Sequence, residues 1–560
     1  MLRYNRADPA KAGPIAHPKE ASLIARPSVA RSTLTMSTAT TLSRVTGFVR
    51  MGATAYALGA KGLMSAYSIA NNIPNMIFEL VAGGILASLF IPTFMELKAE
   101  RGDEAAWRFA SHVLNLVVLA LGVVAVFGTL FPQPFIWTQT FRSGATGDEA
   151  VRRAAEFFFR FFAIQVVFYG AGMVVQGLLN AQRRYLWPAM GPVFNNLVVI
   201  ATMLAFAAMP LGRVSLVVLA VGTTLGVLVM FAVMMPSLYK GGVRYTPELG
   251  WQDPAVRRMM LLAVPTLIYV ITNLVAVSFR NASALAVSAR GPAVLMYAWT
   301  FYQLPYGILA VALATAVFTE LSDAAGHKDW AGLKRQFGRG LRATGVLMLP
   351  AAAMLIALAE PLVSLFLYGQ FKVRDVAPVA SALRFWAMGL VFFACMMFVL
   401  RTFYSLKDTR TPMLANLALT PVQIGLYVLL TTGLLGWAGL GVNGIPLADG
   451  VFYLLMLVTL ALLMRRRLGG YDFRGIASVF LRMLFASIVG GVVAFWLAEA
   501  LAPPLPAFGP AVVQVMVGGV VGLTAAFGTA RLLRVPEVSL ATDLVRKGLS
   551  RDGRRGGRNG

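Results

Sequence analysis

The sequence predicts an all-α polytopic membrane protein: about fourteen transmembrane helices in two pseudo-symmetric six-helix lobes, with two further C-terminal helices. Three observations carry that reading. The 560 residues are 58% hydrophobic and only 13% charged, too apolar for a large soluble core. Apolar segments of membrane-spanning length begin near 33, 66, 109, 155, 186, 214, 255, 291, 340, 377, 411, 438, 476 and 506. An internal repeat recurs at an offset of 224 residues, where Phe94, Glu96, Leu97 and Gly102 return as Phe318, Glu320, Leu321 and Gly326, and Arg183 with Pro188 as Lys407 with Pro412. Six spans separate each pair, and an even number preserves orientation. The lobes are therefore expected to be related by an axis along the membrane normal.

Residues 1–32 are basic and rich in Pro, Ala and Ser, without the apolar core of a signal peptide, and are expected to form a disordered cytoplasmic tail that touches anionic lipid. The first lobe is assigned to 33–239 and the second to 255–464. The two added helices occupy 476–533, and a basic tail fills 534–560. With the N-terminus inside, the cytoplasmic loops gather Lys98, Arg101, Arg183, Arg184, Lys407, Arg410 and the Arg465–Arg467 run, and the external loops hold about half as many cations. That bias puts both termini in the cytoplasm and accounts for a formal charge of +25 without nucleic acid.

The first two spans carry groups that a lipid-facing helix should not have. A charge at mid-membrane costs about 2.5 to 3.5 kcal/mol even on lenient scales, so such residues face a wet or protein-lined interior. In the first span Arg44 and Arg50 lie about 120° apart around an ideal helix, with Gly47 between them as a bend. A guanidinium fork suits a phosphate, and the alternative is that Arg50 snorkels to headgroups. In the second, Ser68, Asn72, Asn75, Glu79 and Gly83 share one face, and Pro74 kinks the helix. On the eighth span Thr300, Tyr302 and Gln303 precede Pro305 and Gly307, mirroring that kink, and are expected to stand opposite the first two spans across a cavity. Arg280 and Asn281 close the seventh span and fit the cavity or the external rim equally. Asn195 and Asn196 line the lumen or, more commonly for such residues, bond between helices. Arg160, Arg384 and Arg401 read as interfacial anchors.

Cofactor chemistry is not expected. The single cysteine, Cys395, excludes an internal disulfide framework, and His17, His112 and His327 have no metal-ligand spacing. There is no GxxxxGK[ST] loop for a nucleotide. Transport would draw on the membrane potential, worth about 2.3 kcal/mol per charge per 100 mV, or on an ion gradient. Glu79 and Asp449 are the carboxylates available for coupling, with Asn416 and Gln423 as neutral ligands, and Asp449 in IPLADG reads also as a turn cap.

The strings SRVTGFVR (Ser43 to Arg50), LGA (Leu58 to Ala60), IPN (Ile73 to Asn75) followed by AGG and FIP, LLNAQRRYLWPAMGPVFNN (Leu178 to Asn196), QLPYGILAVAL (Gln303 to Leu313) and FYSLKDTRTPM (Phe403 to Met413) resemble the MviN/MurJ family. These are lipid II flippases of the multidrug/oligosaccharidyl-lipid/polysaccharide exporter superfamily. The resemblance runs over roughly 33–535 and implies a central cavity in which arginines hold the diphosphate of an undecaprenyl-linked disaccharide-peptide. Two family arginines map to Arg44 and Arg50. Two others are replaced by Phe78 and Thr300, and acidic family positions fall on Met51, Ser65 and Gly83, a pattern resembling the high-G+C Gram-positive branch. The family further implies a groove for the polyprenyl tail at the two added helices, whose Gly490-Gly491 and Gly518-Gly519 pairs by themselves signify close packing.

The resulting expectation is a transporter, not an enzyme, that flips lipid-linked peptidoglycan precursor by alternating access in the bacterial cytoplasmic membrane, with membrane lipids and cell-wall synthesis enzymes as partners. Three alternatives stand beside it. An exporter of another polyprenyl-diphosphate-linked glycan or of a drug belongs to the same superfamily, although a drug exporter should show intramembrane carboxylates rather than paired arginines. A polytopic lipid-dependent glycosyltransferase needs an external acidic base, for which the loop at 132–154 offers only Asp148 and Glu149. The third is a non-transporting scaffold.

Overall fold

The computed structural model describes residues 26–81, 90–142, 148–433, 437–504 and 506–538; Gly83, the AGG run, His17 and most of both expected tails lie outside the described residues. The first half builds α1 (Arg26–Leu58), α2 (Gly62–Val81), α3 (Ile91–Leu130), α4 (Pro132–Thr140), α5 (Asp148–Phe162), α6 (Gln165–Ala181), α7 (Leu186–Ala208), α8 (Arg213–Ala232) and α9 (Met235–Tyr239). The second half builds α10 (Pro254–Val287), α11 (Gly291–Pro305), a π turn (Tyr306–Ala310), α12 (Val311–Gly326), α13 (Trp330–Ala357), α14 (Ala359–Ser364), α15 (Val373–Ser405), α16 (Arg410–Thr432) and α17 (Gly444–Leu468). The appended pair is α18 (Phe473–Ala500) and α19 (Phe508–Leu532). No β-strand forms among the described residues. The first helix starts at Arg26, inside the stretch expected to be a tail, because Pro27 fits a helix's first turn and Ala and Arg favour continuation.

Among the described residues ten helices are long and apolar enough to cross a membrane, and α5 with α6, bent by 44°, makes an eleventh if counted as one span. The expected fourteen is not reached by that criterion. The segments that fall short are those near 33, 66 and 291, namely α1, α2 and α11, which carry the polar residues singled out above.

The duplication is visible in the backbone. Helices α7 and α16 begin and end 224 residues apart. Each follows a helix closed by a basic residue in the left-handed region, Arg183 at φ 60° and Lys407 at φ 57°. The next amide bonds back in the same way, Arg184 N donating to Leu179 O at 2.8 Å and Asp408 N to Phe403 O at 3.0 Å. Aspartates start three helices of the second half and the appended pair: Asp253 accepts from Ala255 N, Asp329 from Gly332 N and Asp472 from Gly475 N.

One hydrophobic cluster runs from Met51 through Phe301 and Trp386 to Val538, so both lobes share a core. A second joins Phe90, Phe94 and Phe109 to Val256 and Met259, which seats the first turns of α10 on α3. The lobes also meet through hydrogen bonds at the end of the bundle that carries Gly59. There the Tyr297 hydroxyl donates to Gly59 O at 3.2 Å, Ala293 N donates to Ser65 Oγ at 3.2 Å, Gln370 N donates to Tyr56 O at 2.9 Å, and Lys61 Nζ donates to Gln370 Oε1 at 2.6 Å. At the opposite end the interlobe linker is pinned to α3, with Asn115 Nδ2 donating to Thr246 O and Glu248 O, and His112 between Asp253 and Glu248.

Candidate functional site

The first helix lies between the lobes, and its two arginines serve different faces. Arg44, Phe48 and Gly52, spaced at four residues, face the second lobe. The Phe48 ring lies 5.6 Å from that of Phe301 and 5.5 Å from that of Phe366. The Arg44 guanidinium rests on the π turn, where a Cβ on Gly307 would stand 2.5 Å from its Nη1, so a side chain there would push the guanidinium aside. Arg401, on α15, shares with Arg44 the electrostatic neighbourhood of Tyr306. The other face of α1 meets α7, where Asn196 Nδ2 donates to Ser43 O at 3.2 Å and to Thr46 Oγ1 at 3.0 Å. Asn196 thus bonds between helices and fixes the backbone beside Arg44. Gly47 sits opposite Asn196 within unbroken helix, where a Cβ would make ordinary contact at 3.6 Å, and the expected bend is not formed there. Arg50, half-buried, has Tyr67 and Tyr169 of the first lobe in its field.

On α2, Ser68, Asn72 and Asn75 are half-buried and Glu79 is exposed, with Pro74 inside the helix. Asn75 Nδ2 turns back to Asn71 O at 2.8 Å. Asn72 Nδ2 approaches Gln139 Oε1 at 3.5 Å. Glu79 lies in electrostatic reach of Arg280 on α10, a cation of the opposite lobe. Phe78, standing where a family arginine was expected, lies 5.0 Å from the Tyr169 ring at a tilt of 44°. Ser65 is buried and used in the interlobe contact to Ala293.

On α11, Thr300 is half-buried and its hydroxyl donates to Met296 O at 3.0 Å, while Gln303 is exposed. Pro305 ends the helix, and the π turn that follows absorbs the backbone pairing it breaks. Arg384 pairs with Glu360 at 3.0 Å, away from α1.

Asp449 is not a turn cap. It lies inside α17, 1% exposed, and accepts from Trp386 Nε1 at 3.0 Å, Gln423 Nε2 at 3.0 Å and the Tyr427 hydroxyl. Gln423 is therefore its partner, whereas Asn416 has a buried Nδ2 without one. Among the described residues no group of His, Cys, Asp and Glu is arranged to hold a metal ion.

Sequence reasoning missed Gln139. Fully buried on α4, it donates from Nε2 to Ser278 Oγ at 2.8 Å and accepts from Asn281 Nδ2 at 2.7 Å, tying the first lobe to α10. Arg142 adds a bond to Ser283 Oγ at 2.5 Å. The signal was a glutamine between two threonines in an otherwise apolar stretch, read only as loop.

A family model described as lipid II flippase MurJ matches residues 54–507. The lipid II flippase MurJ of Burkholderia cenocepacia is 29% identical over 478 residues, covering 84% of this chain and 90% of its own. The probable lipid II flippase MurJ of Thermotoga maritima is 31% identical over 443 residues, covering 78% and 85%. Among solved structures, a lipid II flippase MurJ in an inward closed conformation superposes with a TM-score of 0.72 at 20% identity, covering 89% of this chain and 99% of that one. An inward-facing multidrug resistance MATE family transporter of the MOP superfamily reaches 0.63 at 18% identity, covering 77% and 94%. At these identities the structural likeness establishes the fold.

Proposed function

The chain belongs to the lipid II flippase MurJ family, and on that premise we propose that Arg44 and Arg50 receive the diphosphate of lipid II between the two lobes. It is a transporter rather than an enzyme, a multi-pass inner-membrane protein that moves the lipid-linked precursor for peptidoglycan synthesis. The observation that supports the arginine reading most directly is the seat of Arg44 on the Gly307 turn, a cation of one lobe laid against the kinked span of the other. An anion arriving there would draw α1 and the π turn together. The lobes are joined at the Gly59 end, so loading would proceed from the linker end and release would require the Gly59 end to part, which is alternating access. The positive-inside bias supports a cytoplasmic linker end and both termini in the cytoplasm.

The energy would come from the membrane potential or an ion gradient, at about 2.3 kcal/mol per charge per 100 mV. The polyprenyl tail would follow the appended helices, where a groove of about 770 Å³ lined by Ile356, Val492, Phe495 and Trp496 lies between α13 and α18. Cell-wall synthesis enzymes would accept the product.

Complementation of a conditionally flippase-depleted bacterium tests the reading. The intact chain should rescue growth, and Arg44→Ala and Arg50→Ala, at matched membrane levels, should each fail. Rescue by both variants would remove the arginines from the mechanism, and no rescue by a well-expressed intact chain would argue for a different lipid-linked cargo.

A further inference from the structure

Arg280 has no carboxylate at ion-pair distance among the described residues, although it is half-buried on α10. A guanidinium placed in a span without a direct partner is costly and marks a ligand pathway by default. Its position is nonetheless defined. Cζ stands 5.7 Å from the centroid of the Trp299 ring on α11, a cation–π contact that holds the plane of the fork without using up its N–H donors. The adjacent Asn281 donates to Gln139 at 2.7 Å, which anchors this turn of α10 against the first lobe. Across the seam Glu79 of α2 lies within electrostatic reach. Tyr427 and Tyr453 of the second lobe also lie in the electrostatic field of Arg280.

We infer that Arg280 is a third anion-binding residue for the transported prenyl diphosphate, kept near Glu79 until the diphosphate displaces that carboxylate. The inference rests on the reading of Arg44 and Arg50 as the diphosphate site. Five N–H donors in a planar fork match a diphosphate oxygen pair, and Trp299 supplies the rigid face that orients them. Because Arg280 belongs to α10 and Arg44 to α1, a diphosphate held by both would bridge the lobes. Glu79 then competes with the substrate, and its charge weakens loading while speeding release.

The test is titration of the purified full chain in detergent with undecaprenyl diphosphate, read by native mass spectrometry, for Arg280→Gln, Arg280→Lys, Glu79→Gln and the Arg280→Gln/Glu79→Gln double variant, with Arg44→Ala alongside. Arg280→Gln should weaken binding about tenfold, and Arg280→Lys should recover part of it. Glu79→Gln should tighten binding several-fold in the natural background and have no effect once Arg280 is glutamine, a dependence that general structural damage would not produce. Should Arg280→Gln fail to fold, the lysine variant and Glu79→Gln still decide. Unchanged binding by Arg280→Gln, or an equal gain from Glu79→Gln in both backgrounds, overturns the inference. If Arg44→Ala alone loses the ligand, the diphosphate site survives and only the role of Arg280 falls. If the intact chain binds nothing, both fall.

Discussion

Asp449→Ala should destabilise the second lobe more than any other single truncation among the polar residues described. Three donors converge on this carboxylate, from Trp386, Gln423 and Tyr427, and all four side chains are buried. Removing the acceptor leaves those donors facing one another. Gln423 Nε2 keeps its 2.8 Å bond to the Tyr427 hydroxyl, and the Trp386 and Tyr427 donors left unpaired cost about 1–3 kcal/mol each. Asp449→Asn keeps one acceptor oxygen but turns an amide donor toward the others, and should fall between the two. The check is the midpoint of thermal unfolding in detergent, with membrane abundance beside it: alanine lowest, asparagine intermediate. An unchanged midpoint for Asp449→Ala would mean that α15, α16 and α17 are held together by their apolar contacts alone.

Gln139→Leu should produce the largest shift in conformation. Leucine fills much of the same space but takes the hydrogen-bond partner away from half-buried Ser278 and Asn281. A loss of about 2–3 kcal/mol from the joined state corresponds to a change of roughly 30- to 150-fold in the balance between joined and parted lobes. Because Cys395 is buried, spin labels can be placed cleanly at Arg153→Cys and Arg374→Cys, both exposed and on opposite lobes. The distance distribution should gain a longer component in Gln139→Leu. An identical distribution in both proteins would show that the remaining interlobe bonds, Tyr297 to Gly59 and Lys61 to Gln370 among them, suffice for closure.

The parts of this molecule legible in sequence are those governed by local pattern. Apolar length announced the spans, and the offset of 224 residues announced two lobes that the paired turns at Arg183 and Lys407 reproduce in backbone geometry. Charge in an apolar segment pointed to α1 and α2. What sequence could not supply was the partner of each charge. Glu79 and Arg280 are about two hundred residues apart, and their approach depends on how α2 and α10 pack. Asp449 looked like a turn cap because proline and glycine flank it; its three donors come from α15 and α16. Gln139 was overlooked because a neutral amide in a short connecting helix has no periodic signature, although burial makes it a clasp. Arg44 and Arg50 were read as a pair, and the structure seats them on different faces of one helix, as their spacing of about 120° requires.

The most direct measurement of the central claim is the fraction of lipid II that a membrane-impermeant cleaving reagent can reach in spheroplasts depleted of their own flippase and carrying this chain. With the intact protein, cleavage should return to the level of undepleted cells within the depletion period, and with Arg44→Ala and Arg50→Ala at equal membrane abundance it should stay at the depleted level. Cleavage that remains at the depleted level with the intact, membrane-inserted chain would contradict the account.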